Sequence, residues 1–177
     1  MPAPTLEAWV DSLQARGRYT FLRAEAVNGS GLSAEAVKKA LQRLARRRRV
    51  AKVKSYFYVI VPLEYLHAGG PPPSWFIDDL MKAMERPYYV GLLSAAALHG
   101  ASHQQPQEFQ VFTDRPIRPI QVGSARIRFF VNKRIAETTV QNVKTPADGM
   151  RVSTPESTVV DLVRFAKVAG QARGRLR

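Results

Sequence analysis

The segment Ser33 to Val61, SAEAVKKALQRLARRRRVAKVKSYFYVIV, leaves few folds open to this chain. Ser33 is placed to cap a helix, because its hydroxyl accepts from the free N–H groups of a first turn. Val37, Leu41 and Leu44 then recur at helical spacing and make one narrow apolar stripe. The opposite face carries Lys39, Gln42, Arg43 and Arg46, with Lys38 at its edge. The helix is expected to end in Arg46-Arg47-Arg48-Arg49, where cations suit the negative end of the helix dipole. Val50–Val53 and Tyr56–Val61 are rich in β-branched and aromatic residues, so they read as two strands with a turn at Lys54-Ser55. A helix with one apolar stripe and one basic face, followed at once by a basic hairpin, is the pattern of a winged helix-turn-helix. In that motif the helix enters the major groove of DNA and the hairpin lies along the backbone.

The residues before this segment complete the motif. Leu6, Trp9, Val10 and Leu13 fall at i, i+3, i+4 and i+7, with Thr5 as the expected cap and Gly17 as the stop. Leu22–Val27 reads as a brief second helix, and the polar stretch Asn28-Gly29-Ser30-Gly31 as the turn before the basic helix. Farther on, Gly69-Gly70-Pro71-Pro72-Pro73 is the clearest break in composition, a loosened and then stiffened spacer. The expected division is therefore a winged-helix domain over 1–68, a linker over 69–74 and a mixed α/β domain over 75–177. The fold class is α+β.

In the second part, Ser74 is expected to cap a helix through Ile77, Leu80, Met81 and Met84, stopped by Pro87. A small-residue helix follows over Leu92–His99. Strands are expected over Glu108–Thr113 and Arg126–Val131, and weaker ones over Val140–Val143 and Met150–Val152. Arg115-Pro116-Ile117-Arg118-Pro119 cannot be a central strand, since proline lacks the donor. Thr154-Pro155-Glu156 is a helix start, with a capping residue, proline at the first position and early negative charge. That helix runs through Val159, Val160, Leu162, Val163 and Ala166; after Gly170 the tail is basic and polar.

Charge bounds the partners. The 177 residues carry a net +13, which points to a polyanion, either nucleic acid or an anionic membrane surface. Residues 1–68 hold 12 Lys/Arg against 5 Asp/Glu, and residues 69–177 hold 15 against 9, so both parts are basic. No apolar run approaches the ~18 residues that span a bilayer, and MPAPTLEAWVDSL lacks the basic start of a signal peptide. With no cysteine there is no disulfide, thiolate nucleophile or cysteine zinc site, which suits a reducing cytoplasm.

The candidate contacts sort by chemistry. Ser33, Lys38, Lys39, Gln42 and Arg43 lie early on the basic helix, where side chains reach base edges; Arg and Gln have the bidentate geometry to read guanine and adenine. Arg46, Arg47 and Arg49 suit phosphates, which gives affinity without sequence information. Lys52, Lys54, Ser55 and Tyr56 are the wing candidates, Tyr56 fitting either a backbone contact or a strand-packing aromatic. Arg115 and Arg118 with Arg126 and Arg128 form either a second phosphate-binding surface, clamping one duplex with the winged helix, or a solvated sheet face. His99 and His103 have metal-like spacing, but Gly100 interrupts it and a packed or capping His99 fits better. No P-loop, nucleophile elbow or paired carboxylates in a phosphate-binding setting are found, so no cofactor, metal or catalytic residue is expected.

The second part resembles a known family. Tyr88-Tyr89, Ser94-Ala95 and His99-Gly100 in YYVGLLSAAALHG, then Ser153-Thr154-Pro155-Glu156 with Thr158 and Asp161, follow in the order of the AbiEi family of antitoxins. The likeness covers about Leu6 to Phe165. Family members usually continue into further helices, so this chain reads as a short or truncated member. The resemblance implies a non-enzymatic, sequence-specific repressor that binds inverted repeats at its own promoter. It also implies a cytoplasmic antitoxin that counters a nucleotidyltransferase-like toxin without a stable complex. It would act as a monomer in solution or cooperatively on double-stranded DNA. The rival readings are an enzyme acting on nucleic acid, or a toxin-sequestering module, delivered by the winged helix.

Overall fold

Helix α1, Leu6–Ala15, starts where the Thr5 hydroxyl accepts from the Ala8 N–H, and it buries Leu6, Val10 and Leu13. The computed structural model of the chain describes residues 5–101 and 106–166. After α1 come β1 (Thr20–Leu22), α2 (Arg23–Ser30), α3 (Ala34–Arg46), β2 (Val50–Lys54) and β3 (Phe57–Ile60). The three strands form an antiparallel sheet in the order β1-β3-β2. This helix-strand-helix-helix-hairpin order is compatible with a helix-turn-helix domain of winged type.

Helix α2 is longer than its composition suggests. Asn28, Gly29 and Ser30 are helical, and the turn is left to Gly31, which takes the left-handed conformation at φ 68°. The reason is packing against α1: a Cβ on Gly29 would overlap the Trp9 indole, so glycine is what lets the two helices approach. Ser30 closes the helix by donating from its hydroxyl to the Ala26 carbonyl at 2.6 Å. Glycine in a helix costs roughly 1 kcal/mol against alanine, and here the close approach of Trp9 offsets it.

The remaining chain forms a six-stranded mixed sheet. Its elements are α4 (Ile77–Ala83), β4 (Tyr88–Val90), α5 (Leu92–Leu98), β5 (Phe109–Thr113), β6 (Ile120–Val122), β7 (Ala125–Val131), β8 (Val140–Lys144), β9 (Gly149–Ser153) and α6 (Pro155–Arg164). The strand order is β6-β7-β5-β4-β9-β8, with β5/β7 and β4/β9 parallel and the other pairs antiparallel. One face packs Ile77, Leu80 and Met81 of α4 against Val90, Val111, Ile127 and Val152. The other packs Tyr89, Leu92, Phe112 and Phe130, with Leu162 and Phe165 against them. Ser74 does not cap α4. It sits in a 3-10 turn, Pro73–Trp75, and α4 starts after Phe76 with no side-chain cap.

The hairpin β2–β3 is covered on both faces. Tyr58 and Ile60 join Val37, Leu41 and Leu44 in the first core. Phe57 and Val59, one residue out of phase, join Phe76, Ile77, Leu80 and Val122 in the second. The Gly/Pro stretch over 69–74 is not a free spacer, because Gly70, Pro71 and Pro73 are buried. At its start the backbone runs so close to β6 that a Cβ on Gly123 would overlap the Ala68 carbonyl, and Gly123 also needs φ 56°. Composition reports the local freedom of glycine and the stiffness of proline; it does not report that an apolar strand face needs covering. The Thr20 hydroxyl adds a polar contact across the two parts by donating to Asp79.

Candidate nucleic-acid interface

Ser33 caps α3 as its position requires, its Oγ accepting from the Ala36 N–H at 3.2 Å. Val37, Ala40, Leu41 and Leu44 are buried, each larger side chain stabilising by roughly 1.5–3 kcal/mol. That burial fixes the roll of the helix. Lys38, Lys39, Gln42, Arg43 and Arg46 are left on the exposed side, and none has a side-chain hydrogen bond or ion pair among the described residues. Glu35 shares this face at the helix start, where the dipole favours an acid. Glu35 was not singled out in the sequence; its signal is an acidic residue at a helix start, three places before Lys38.

The four-arginine run is divided by structure. Helix α3 ends at Arg46, and Arg48 takes φ 57° while the Arg49 N–H reaches back to the Leu44 carbonyl at 2.9 Å. This is a left-handed helix stop made without glycine, at a cost of roughly 1–2 kcal/mol, which is why composition extends the helix too far. Arg46 points to solvent. Arg47 pairs with Glu7 at 3.2 Å and Arg49 with Asp11, tying the end of α3 to α1, and Arg48 donates to the Leu66 carbonyl.

The hairpin turn is Ser55-Tyr56, not Lys54-Ser55, because the ladder shifts register between Lys52 and Lys54. Lys52 stands opposite Tyr58 and Lys54 opposite Phe57. Tyr56 is in the turn and 39% exposed, so it is not a strand-packing aromatic. Its carbonyl accepts from the Arg23 N–H at 2.9 Å, which brings the exposed first residue of α2 to the hairpin tip. Arg23 was missed in the sequence; its signal is a cation at a helix start, where the dipole disfavours it.

The four candidate arginines of the second part, Arg115, Arg118, Arg126 and Arg128, do not share one surface. The connection from β5 to β6 crosses β7, and Ile117 packs against the same cluster as α4, Ala51 and Val53. Arg115 and Arg118 therefore lie on the hairpin side of the sheet. The loop is braced by Arg86, which donates to Asp114 and to the Arg115 carbonyl, each at 2.6 Å. The Arg86 guanidinium holds the Asp114 carboxyl below its usual range. Arg126 and Arg128 point to the opposite face, with Phe130. Both approach Glu108, at 3.2 and 3.6 Å, and Arg128 lies 5.0 Å above the Phe130 ring. One carboxylate thus offsets part of their charge.

The residues of the short motifs meet at the junction of β4, β9, α5 and α6. The Tyr89 hydroxyl donates to Asp161 at 2.9 Å and accepts from the Asn132 side-chain amide at 3.1 Å. Burial holds the Asp161 carboxyl above its usual range, with the Tyr89 hydrogen bond and Arg164 opposing it. His99 Nε2 donates to the Ser153 carbonyl at 2.8 Å, the packed role expected for it; His103 lies outside the described residues. The Ser153 and Thr158 hydroxyls are 2.7 Å apart, and Thr158 also donates to the Thr154 carbonyl. Thr154 caps α6 by accepting from the Ser157 N–H. These motifs specify how α5 and α6 dock on the sheet.

No helix among the described residues is long and apolar enough to cross a membrane. No curated protein matches the chain. Residues 89–173 match the family described as the AbiEi antitoxin C-terminal domain. That span holds the Tyr89–Asp161 contact and nearly all of the motif residues, and over it the chain carries an AbiEi antitoxin C-terminal domain.

Proposed function

We propose that the chain is a sequence-specific repressor of its own toxin–antitoxin operon, binding double-stranded DNA through α3 and the β2–β3 hairpin. The observation that carries this reading is the face of Lys38, Lys39, Gln42, Arg43 and Arg46. Five long polar side chains stand side by side with no partner among the described residues, on a helix whose roll is fixed by burial. On this reading Lys38, Lys39, Gln42 and Arg43 reach base edges, while Arg46 and Lys52 hold phosphates. Arg47 and Arg49 are first of all ties to α1, and their outer N–H groups add to the positive field. Lys54, Ser55 and Tyr56 with Arg23 approach the backbone beside the hairpin tip. Repression follows from occupying the promoter; this binding needs no cofactor, and no catalysis is involved. The domain division at 69–74 is kept as one of function, reading against antitoxin action, and the second domain counters a nucleotidyltransferase-like toxin in the cytoplasm without a stable complex.

A reporter fused to the upstream region of the gene tests this. The chain should repress it, and Lys39→Ala/Arg43→Ala should restore expression at equal protein level. Expression unaffected by the wild-type chain would overturn the reading. One observation favours the second reading, sequestration of a protein toxin: Val159, Val160 and Val163 of α6 are exposed. Loss of toxin neutralisation in Val159→Asp/Val163→Asp, with repression intact, would support it.

A further inference from the structure

We propose that the loop Arg115–Pro119 is a second wing, which holds the phosphate backbone of the duplex beyond the hairpin. The inference rests on the DNA-binding reading and extends it to a part of the chain outside the winged helix. It comes from the order of three elements. Helix α3 packs on the face of the hairpin that carries Tyr58 and Ile60. The loop packs, through Ile117, on the cluster that holds Phe57 and Val59 of the other face. The hairpin therefore stands between the reading helix and the loop.

The direction of β6 places the loop near the tip and not the base. Gly123 and Ser124, just past the end of β6, line a cleft with Ala45, Arg48, Val50 and Ala51 at the hairpin base. Strand β6 runs from Ile120 to Val122 toward that base, so the residues before Ile120 lie toward the tip. The loop is also prepared for binding. Two prolines limit its backbone, Ile117 anchors its middle, and Arg86, between α4 and β4, grips its first residue. Arg118 is exposed with no partner among the described residues. Arg115 is 71% exposed and only loosely paired with Asp114 at 3.5 Å. Cations on a rigid frame lose little conformational entropy when they meet phosphate.

The hairpin itself turns toward the loop. The register shift puts Lys54 opposite Phe57, on the loop side, while Lys52 stays opposite Tyr58, on the α3 side. The basic groups thus run from α3 through Lys52, Lys54 and Arg118 to Arg115, across the width of the hairpin. A duplex seated on α3 and the tip would meet Arg118 and Arg115 on the flank away from α3.

The test compares Arg115→Ala/Arg118→Ala with a charge-matched control, Lys144→Ala/Arg151→Ala, at the β8 edge of the sheet, opposite to β6. Binding to the duplex upstream of the gene is followed by fluorescence anisotropy between 50 and 200 mM salt, with matching circular dichroism required of every variant. Two lost phosphate contacts should make the fall in affinity over that range about tenfold smaller than in wild type, and the control should follow wild type. Trimming the duplex from one end should abolish the difference between wild type and the loop variant. Equal salt dependence of the loop variant and the control would overturn the second wing while leaving the function proposed for α3 in place. If wild type binds no duplex, both proposals fall. If only Lys39→Ala/Arg43→Ala loses binding and the loop variant matches wild type, the second wing alone falls.

Discussion

Lys52 and Lys54 stand two places apart on β2, yet they face opposite sides of the hairpin: Lys52 opposes Tyr58 of the first core and Lys54 opposes Phe57 of the second. In an unbroken strand two such residues share a face. The extra residue is Val53, which packs inward against the second core and leaves Lys54 on the same side. Lys52→Ala and Lys54→Ala are each expected to lower the salt slope of DNA binding by about 0.9 and to weaken binding evenly across sequences. Titrations of operator and scrambled duplex at several salt concentrations read both quantities.

Gln42 and Arg43 should behave differently. Their place early on the exposed face of α3 makes them readers of bases, so alanine at either should cost about 1–3 kcal/mol on the operator and relax preference at one position. Selection of bound duplexes from a randomised pool is the measurement. A uniform loss with unchanged preference would assign them to phosphates instead.

Gly29→Ala should destabilise the protein despite its gain in helix propensity. The added methyl meets the Trp9 indole, and overpacking of this kind costs about 1–3 kcal/mol against roughly 1 gained. Urea unfolding followed by tryptophan fluorescence reports both the lower midpoint and the displaced indole. Unchanged stability would mean that α1 and α2 move apart freely.

Arg49→Ala should cost under about 1 kcal/mol. Asp11 is more than half exposed, so its ion pair with Arg49 is screened, although Arg49 itself is largely covered. The loss should shrink in high salt. Thermal melts at two ionic strengths give the comparison.

Asp161 supplies a pH dependence of known sign. Its folded pKa lies above the ordinary 3.8, because burial disfavours the charged form. The native state therefore holds this proton more tightly than the unfolded chain. Stability falls as pH rises from the ordinary value through the folded one, and it stays lower above. Asp114, whose pKa is lowered by Arg86, acts in the opposite direction, so the wild-type curve alone mixes the two. The difference between Asp161→Asn and wild type isolates Asp161: it should move in favour of Asn as pH rises and then level off. The amide oxygen still accepts from Tyr89. A difference that does not change with pH would contradict the buried charge.

The local signals in the sequence were strong where one residue type decides the structure. The α3 stripe, the Thr5, Ser33 and Thr154 caps and the proline at the start of α6 all reappear as written. What escaped is decided by contacts between distant residues. Strand β6 has three residues and no pattern of its own; it forms because Ile120 and Val122 have a place on the edge of β7. The glycines and prolines near residue 70 suggested freedom, but Gly70 lies against Val122, and Phe76 and Ile77 just beyond join the cluster of Phe57 and Val59. The pairing of Arg126 and Arg128 with Glu108 depends on β5 and β7 being neighbours, which no local pattern states. At the candidate site the basic face of α3 was legible, while Arg23, Glu35 and the separation of Arg115 and Arg118 from Arg126 and Arg128 were not.

The most direct measurement is binding of the purified protein to the DNA upstream of its own gene, against a scrambled duplex of equal length, with Lys39→Ala/Arg43→Ala alongside. The account predicts a clear preference for the upstream duplex that the double variant abolishes, and an affinity that falls about 10³-fold or more between 50 and 200 mM salt. Equal binding of both duplexes by wild type, with the same salt dependence, would contradict it and leave the exposed face of α3 without a sequence to read.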